Sequence, residues 1–181
     1  MRAAEDFLES LHHRTRFLAS LIPALTAALL VLISNMPVSF TGELLPSPAL
    51  ALAGVYFWVL VRADLMPPPV VLLIGLLEDL LSGGPPGLWA AGYLAAYWLT
   101  AKQRETLAGL NGAGALVGFT GAMLLAAATA YGLSAAVYLR LAPLPPLLLE
   151  SVSTVALYPV VAFCMAWIMR KTVGPETGDD A

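Results

Sequence analysis

Charge is scarce in this sequence. Asp, Glu, Lys and Arg make up only 12% of its 181 residues, against roughly 25% in an ordinary soluble domain, so few side chains are available to keep a folded surface in water. The charges sum to −3 at pH 7, and the nine Lys and Arg residues are scattered. That leaves no basic field for a phosphate backbone and excludes nucleic acid as a partner. Histidine occurs only at His12 and His13, outside every apolar run and without the HExxH context of a zinc protease. A GxSxG elbow and a phosphate-cradling glycine loop are also missing. The one cysteine, Cys164, can form no intrachain disulfide, has no histidine in a neighbouring run, and is expected to pack as a small apolar residue. No catalysis, cofactor or metal is expected.

Apolar residues supply what the charges do not. They form 59% of the chain and fall in six blocks: Phe17 to Val38, Pro48 to Val61, Pro69 to Leu81, Gly87 to Ala101, Leu110 to Leu139 and Leu147 to Met169. Blocks near 20 residues match the hydrocarbon thickness of a bilayer. The first is too long for a signal-peptide core, and Ser39 to Glu43 lacks a small-x-small cleavage pattern, so it is expected to stay as a helix. The predicted fold is an all-α polytopic membrane protein of about six transmembrane helices, with short third and fourth helices forming a hairpin. Residues 17–171 form the bundle, 1–16 a cytoplasmic amphipathic segment, and 172–181 a disordered cytoplasmic tail.

If every block crosses, Arg2, Arg14, Arg16, Arg62, Lys102, Arg104, Arg170 and Lys171 share one side, and only Arg140 faces the other. The positive-inside rule makes the first side the cytoplasm, with both termini inside. The third and fourth blocks are short enough that a re-entrant hairpin would satisfy the same count; full crossing is favoured because each can reach about 25 Å at about 1.5 Å per residue.

Polar residues break the apolar runs at a few places. Glu78 and Asp79 are adjacent carboxyls in the outer half of a span, and no Lys or Arg lies in any apolar block to pair with them. They read either as an ion, substrate or partner site, or as acceptors for orphan amides at a broken hairpin turn. The second reading is favoured for Asp79, and asparagine is then expected to replace it. Glu78, about 100° away round the helix, is expected to be hydrated. Gly83 and Gly84 are expected to supply positive φ, Pro85 and Pro86 to stop the helix, and Gly87 to begin the next. Gly114 and Gly118 form a GxxxG pair that Ala122, Ala126 and Ala130 continue; the row is expected to be a helix-packing face, with a homodimer seam as the lesser alternative. Trp58, Arg62 and Asp64, and Tyr93, Tyr97, Trp98, Lys102 and Arg104, read as interfacial anchors. Tyr158-Pro159 is expected to kink the last span, and Glu150 to cap its N-terminus.

Taken in order, Tyr56-Phe57-Trp58-Val59-Leu60-Val61-Arg62-Ala63-Asp64-Leu65-Met66-Pro67, then Gly75 to Gly83 with Pro86-Gly87-Leu88, then Thr154-Val155-Ala156-Leu157-Tyr158-Pro159 resemble the MreD family of rod-shape-determining membrane proteins, alphaproteobacterial type, over residues 17–171. Ala63 and Pro86 depart from the family pattern of proline and leucine at those positions. The resemblance implies a non-enzymatic inner-membrane scaffold of the cell-elongation machinery that binds MreC, with links to MreB, to RodA and to its transpeptidase partner. A competing expectation is a small-molecule-binding subunit similar to the substrate-capture components of energy-coupling-factor vitamin transporters, with Glu78, Asp79, Trp89, Tyr93 and Trp98 lining an outward pocket.

Overall fold

The computed structural model describes residues 21–36, 47–108, 112–139 and 143–172. Among these residues the fold is all-helical. Helix α1 covers Leu21–Ser34, α2 Leu50–Arg62, α3 Pro68–Ser82, α4 Leu88–Ala108, α5 Gly112–Tyr138 and α6 Leu144–Thr172, with a 3-10 turn at Ala63–Leu65 after α2. The amphipathic segment 1–16, the tail 173–181, Arg140 and the loop around Glu43 lie outside the described residues.

Helix α2 is the centre of the bundle. Every residue from Ala51 to Leu60 is buried, as suits a helix that is apolar all round. It packs on α4, α5 and α6 and meets α1 through Trp58, whose Nε1 donates to Thr26 Oγ1 at 3.0 Å. Trp58 and Tyr93 are both fully buried. They therefore belong to the core and not to an interfacial belt, because each ring reaches a partner on another helix. Midway along, Tyr56 of α2, Phe119 of α5 and Tyr158 of α6 form one aromatic joint. Phe119 stacks on Tyr158 with ring centroids 4.4 Å apart, and Tyr56 meets both edge-on at 5.3 and 5.6 Å. The Tyr56 hydroxyl is also satisfied, donating to the carbonyl of Ala115 at 3.1 Å, as a buried phenol must be.

Helix α3 starts on Pro68 and Pro69, which lack the N–H groups that the first turn cannot pair, and ends on Gly83 in the left-handed region at φ 71°. It folds back antiparallel on α4. The two backbones touch at Gly75, where a Cβ would lie 2.5 Å from Ala90 Cα. At Gly92 of α4 a Cβ would lie 2.8 Å from the carbonyl oxygen of Ala126 on α5. Such close approaches need glycine, because any side chain would force the helix backbones apart.

The structure corrects several expectations. The fourth helix is not short: α4 has 21 residues and carries on through Lys102, Gln103, Arg104 and Glu105, since good helix formers extend a helix beyond its apolar stretch. The shortest is α2, with 13 residues. The small-residue row of α5 divides: Ala122, Ala126 and Ala130 are buried, whereas Gly114 and Gly118 are half-buried. Helix α6 begins six residues before Glu150 and runs through Pro159 without ending, so Glu150 sits in the second turn and is not the cap. Cys164 is exposed on α6, because it falls on the outer side of that helix with Phe163.

Among the described residues two helices, α5 and α6, are long and apolar enough to cross a membrane. Their outward faces show Val117, Leu124, Val137, Val152, Val160 and Phe163, and α1 and α3 likewise expose rows of leucine. Exposed apolar side chains in this number suit a surface covered by lipid or by a partner protein.

Candidate functional site at the α3–α4 turn

Asp79 lies in the last turn of α3 and is 1% exposed. Its Oδ2 accepts from the backbone N–H of Gly87 at 2.7 Å and of Ala90 at 3.2 Å, and its Oδ1 from Trp89 N–H at 2.8 Å. All three amides belong to the start of α4, where the first N–H groups of a helix have no intrahelical partner. The carboxyl of one helix therefore caps the next and ties the turn shut. The glycines follow from the same geometry. Gly83 turns the chain out of α3, but the second positive φ belongs to Gly87 at 105°, not to Gly84. That conformation aims the Gly87 N–H at Asp79. Because every contact to Asp79 is a donor, asparagine is not an equivalent replacement as expected: its NH2 would face an N–H.

Glu78 is also buried, 6% exposed, which corrects the expectation of a hydrated side chain. The 100° step from Asp79 points it between helices instead of into water. Its Oε1 accepts from Asn35 Nδ2 at 3.0 Å, and its Oε2 from the Tyr93 hydroxyl at 3.4 Å, joining α1, α3 and α4 at one point. Around them the end of α1 and the start of α2 are tied in by hydroxyls: Ser34 Oγ accepts from Leu50 N–H at 3.3 Å, and Thr154 Oγ1 from Ala49 N–H at 2.9 Å. Among the described residues no group of three metal-ligating side chains forms.

Arg62 and Asp64 sit at the opposite end of α2. Their side chains form a two-pronged ion pair, Nε to Oδ1 at 3.1 Å and Nη2 to Oδ2 at 3.0 Å. The hydrogen bond from Arg62 holds the Asp64 carboxyl below its ordinary range. Arg104 reaches across from α4 and donates to the carbonyls of Leu60 at 3.2 Å and Val61 at 3.2 Å, closing the C-terminus of α2. The sequence does not single out that role, since a base near a helix end reads equally well as an anchor. Lys171 lies 4.1 Å over the ring of Trp167.

Of the residues considered for an outward pocket, Glu78, Asp79, Trp89 and Tyr93 meet at the joint between α3 and α4 and Trp98 stands apart. Asp79 is spent on amides, Tyr93 is buried against Glu78, and Trp98 is 63% exposed on the outside. A cavity of about 330 Å³ does lie elsewhere, between α5 and α6, with Met123, Leu124, Leu148, Val152, Val155 and Ala156 on its walls. Its two hydroxyls, on Thr120 and Ser151, bond to their own helix.

Among the described residues, fold and site together define an all-helical bundle with two helices long and apolar enough to cross a membrane and a buried polar joint at one end. Comparison with protein-family models, with curated proteins and with solved structures finds no match.

Proposed function

We propose that this chain is a six-span, non-enzymatic scaffold of the MreD type. In this reading it lies in the bacterial inner membrane with both termini in the cytoplasm and binds MreC within the cell-elongation machinery. The observation that carries the reading is where the three motif-bearing segments fall. Residues 56–67 supply Tyr56 and the Arg62–Asp64 pair, residues 75–88 supply Gly75, Asp79 and Gly87, and residues 154–159 supply Thr154 and Tyr158. Each therefore makes contacts between helices or closes a turn, as suits a protein whose work is to hold a shape. The polar joint also favours a scaffold over an enzyme, since its carboxyl oxygens are occupied by amide, hydroxyl and backbone donors.

The test is co-purification with MreC and restoration of rod shape in cells lacking the endogenous protein. The scaffold reading expects the chain to retain MreC and to restore rods. It also expects external thiol reagents to modify a cysteine at Gly84 and not one at Gln103. Failure to retain MreC, or labelling of position 103 from outside, overturns it, and a vitamin found in the purified protein would favour the transporter-like alternative.

A further inference from the structure

We propose that the bilayer is locally thinned beside α3, so that the protein carries a thin-membrane face on one side of its circumference. This rests on reading α3 as a spanning helix. At about 1.5 Å per residue, the 15 residues of α3 give a height of about 22 Å, whereas the 27 of α5 and 29 of α6 give about 40 and 43 Å. A typical hydrocarbon core is about 30 Å thick. Helices α5 and α6 fit it by tilting. Helix α3 cannot, because tilt only lowers its height further.

Helix α2 is shorter still, but its buried residues meet protein and not lipid. Helix α3 is different: Leu72, Leu73, Leu80 and Leu81 are exposed along it, and its main partner is α4 on the other side. Neither end can be drawn into hydrocarbon. At one end is the exposed Asp64 carboxyl of the ion pair, followed by the exposed Pro67. At the other, the last carbonyls of α3 and the exposed Ser82-Gly83-Gly84 turn need polar surroundings. The polar groups at both ends call for headgroups, and the helix between them has only 15 residues, so the lipid adjusts to the helix.

The experiment places a bimane on Leu80→Cys, near the outer end of α3, and a control bimane on Val160→Cys near the middle of α6, both in a Cys164→Ser background. The full chain is reconstituted in phosphatidylcholines of short, intermediate and long monounsaturated chains, each doped with lipid spin-labelled at a shallow or a deep position. Thinning at α3 expects the Leu80 probe to be quenched more by the shallow label in all three hosts, with a ratio that stays constant, while the Val160 probe follows the deep label. A Leu80 ratio that falls about twofold or more from the short to the long host means that the bilayer stays flat, and overturns the proposal. Quenching of the Val160 probe with none at Leu80 means that protein, such as a second copy, covers α3, and also overturns it. If the spanning reading itself is wrong, the chain fails to float with the vesicles and neither probe is quenched.

Discussion

Replacing Asp79 is the sharpest perturbation of the α3–α4 turn, because one side chain serves three amides. In Asp79→Leu the shape is roughly kept and every acceptor is lost. Loss of a helix cap costs about 0.5–2 kcal/mol. Leaving the buried Ala90 N–H without a partner adds about 1–3 kcal/mol. The Gly87 and Trp89 amides are only part-buried and recover some of their loss through water. The expected destabilisation is therefore about 2–4 kcal/mol. Asp79→Asn keeps one acceptor. Placed at Oδ2, its carbonyl serves Gly87 and Ala90, and its NH2 then opposes the Trp89 N–H; the expected loss is about 1–2 kcal/mol. Equilibrium unfolding in mixed detergent micelles measures both. If Leu lies within about 0.5 kcal/mol of wild type, the range of an ordinary surface change, or is no worse than Asn, the capping argument fails.

Three other outcomes follow from the geometry. Gly92→Ala and Gly75→Ala should each lower the thermal midpoint, since the new Cβ meets backbone at 2.8 and 2.5 Å, whereas Gly121→Ala meets open space and should match or slightly raise it; equal effects at all three positions would refute the close approaches. Arg104→Ala should destabilise by about 1–3 kcal/mol, by leaving the Leu60 and Val61 carbonyls without a charged donor, and Arg104→Lys should recover only part, because an ammonium lacks the planar fork. The Arg62–Asp64 pair predicts a small pH effect of definite sign. With the folded Asp64 carboxyl held below its unfolded value, its contribution is fully present above about pH 4 and is lost as pH falls through the folded value. Asp64→Asn should therefore lower the midpoint slightly at neutral pH and not at the acid end, and high salt should shrink the difference, because Asp64 is more than half exposed.

The sequence predicted the elements that depend on runs of apolar residues and on turn chemistry. The break at Gly83-Gly84-Pro85-Pro86 is legible because glycine and proline act locally, and an acceptor for orphan amides at Asp79 is legible because a carboxyl beside a helix break has few other uses. Contacts between distant segments are not legible in this way. Nothing in the run around Asn35 points to Glu78, 43 positions further along the chain, and the two meet only once α1 and α3 pack. The misplacement of Trp58 and Tyr93 has the same origin: aromatics near the ends of apolar runs suit a membrane interface and a core equally well, and only the hydroxyls of Thr26 on α1 and the carboxyl of Glu78 on α3 decide between them. Gly92 is not legible either, because its spacing forms no motif; what makes the position tight is the Ala126 carbonyl on another helix.

The distribution of polar groups bears on where the proposed scaffold would recognise a partner. In lipid, helices gain little from burying apolar surface, and association depends on close packing and on hydrogen bonds between helices. The outward faces of α3, α5 and α6 present mainly leucine, valine and phenylalanine, and an exposed hydroxyl there, on Thr129, is already given to the Leu125 carbonyl of its own helix. Glu78 and Asp79 are spent inside the bundle. Exposed charged side chains stand instead near the helix ends: Asp64 after α2, Lys102 and Glu105 on α4, and Arg170 and Lys171 at the end of α6. In the proposed scaffold, specific recognition is therefore expected to be set at these helix ends. The apolar faces between them would add contact area and shape, but little power to choose one partner over another.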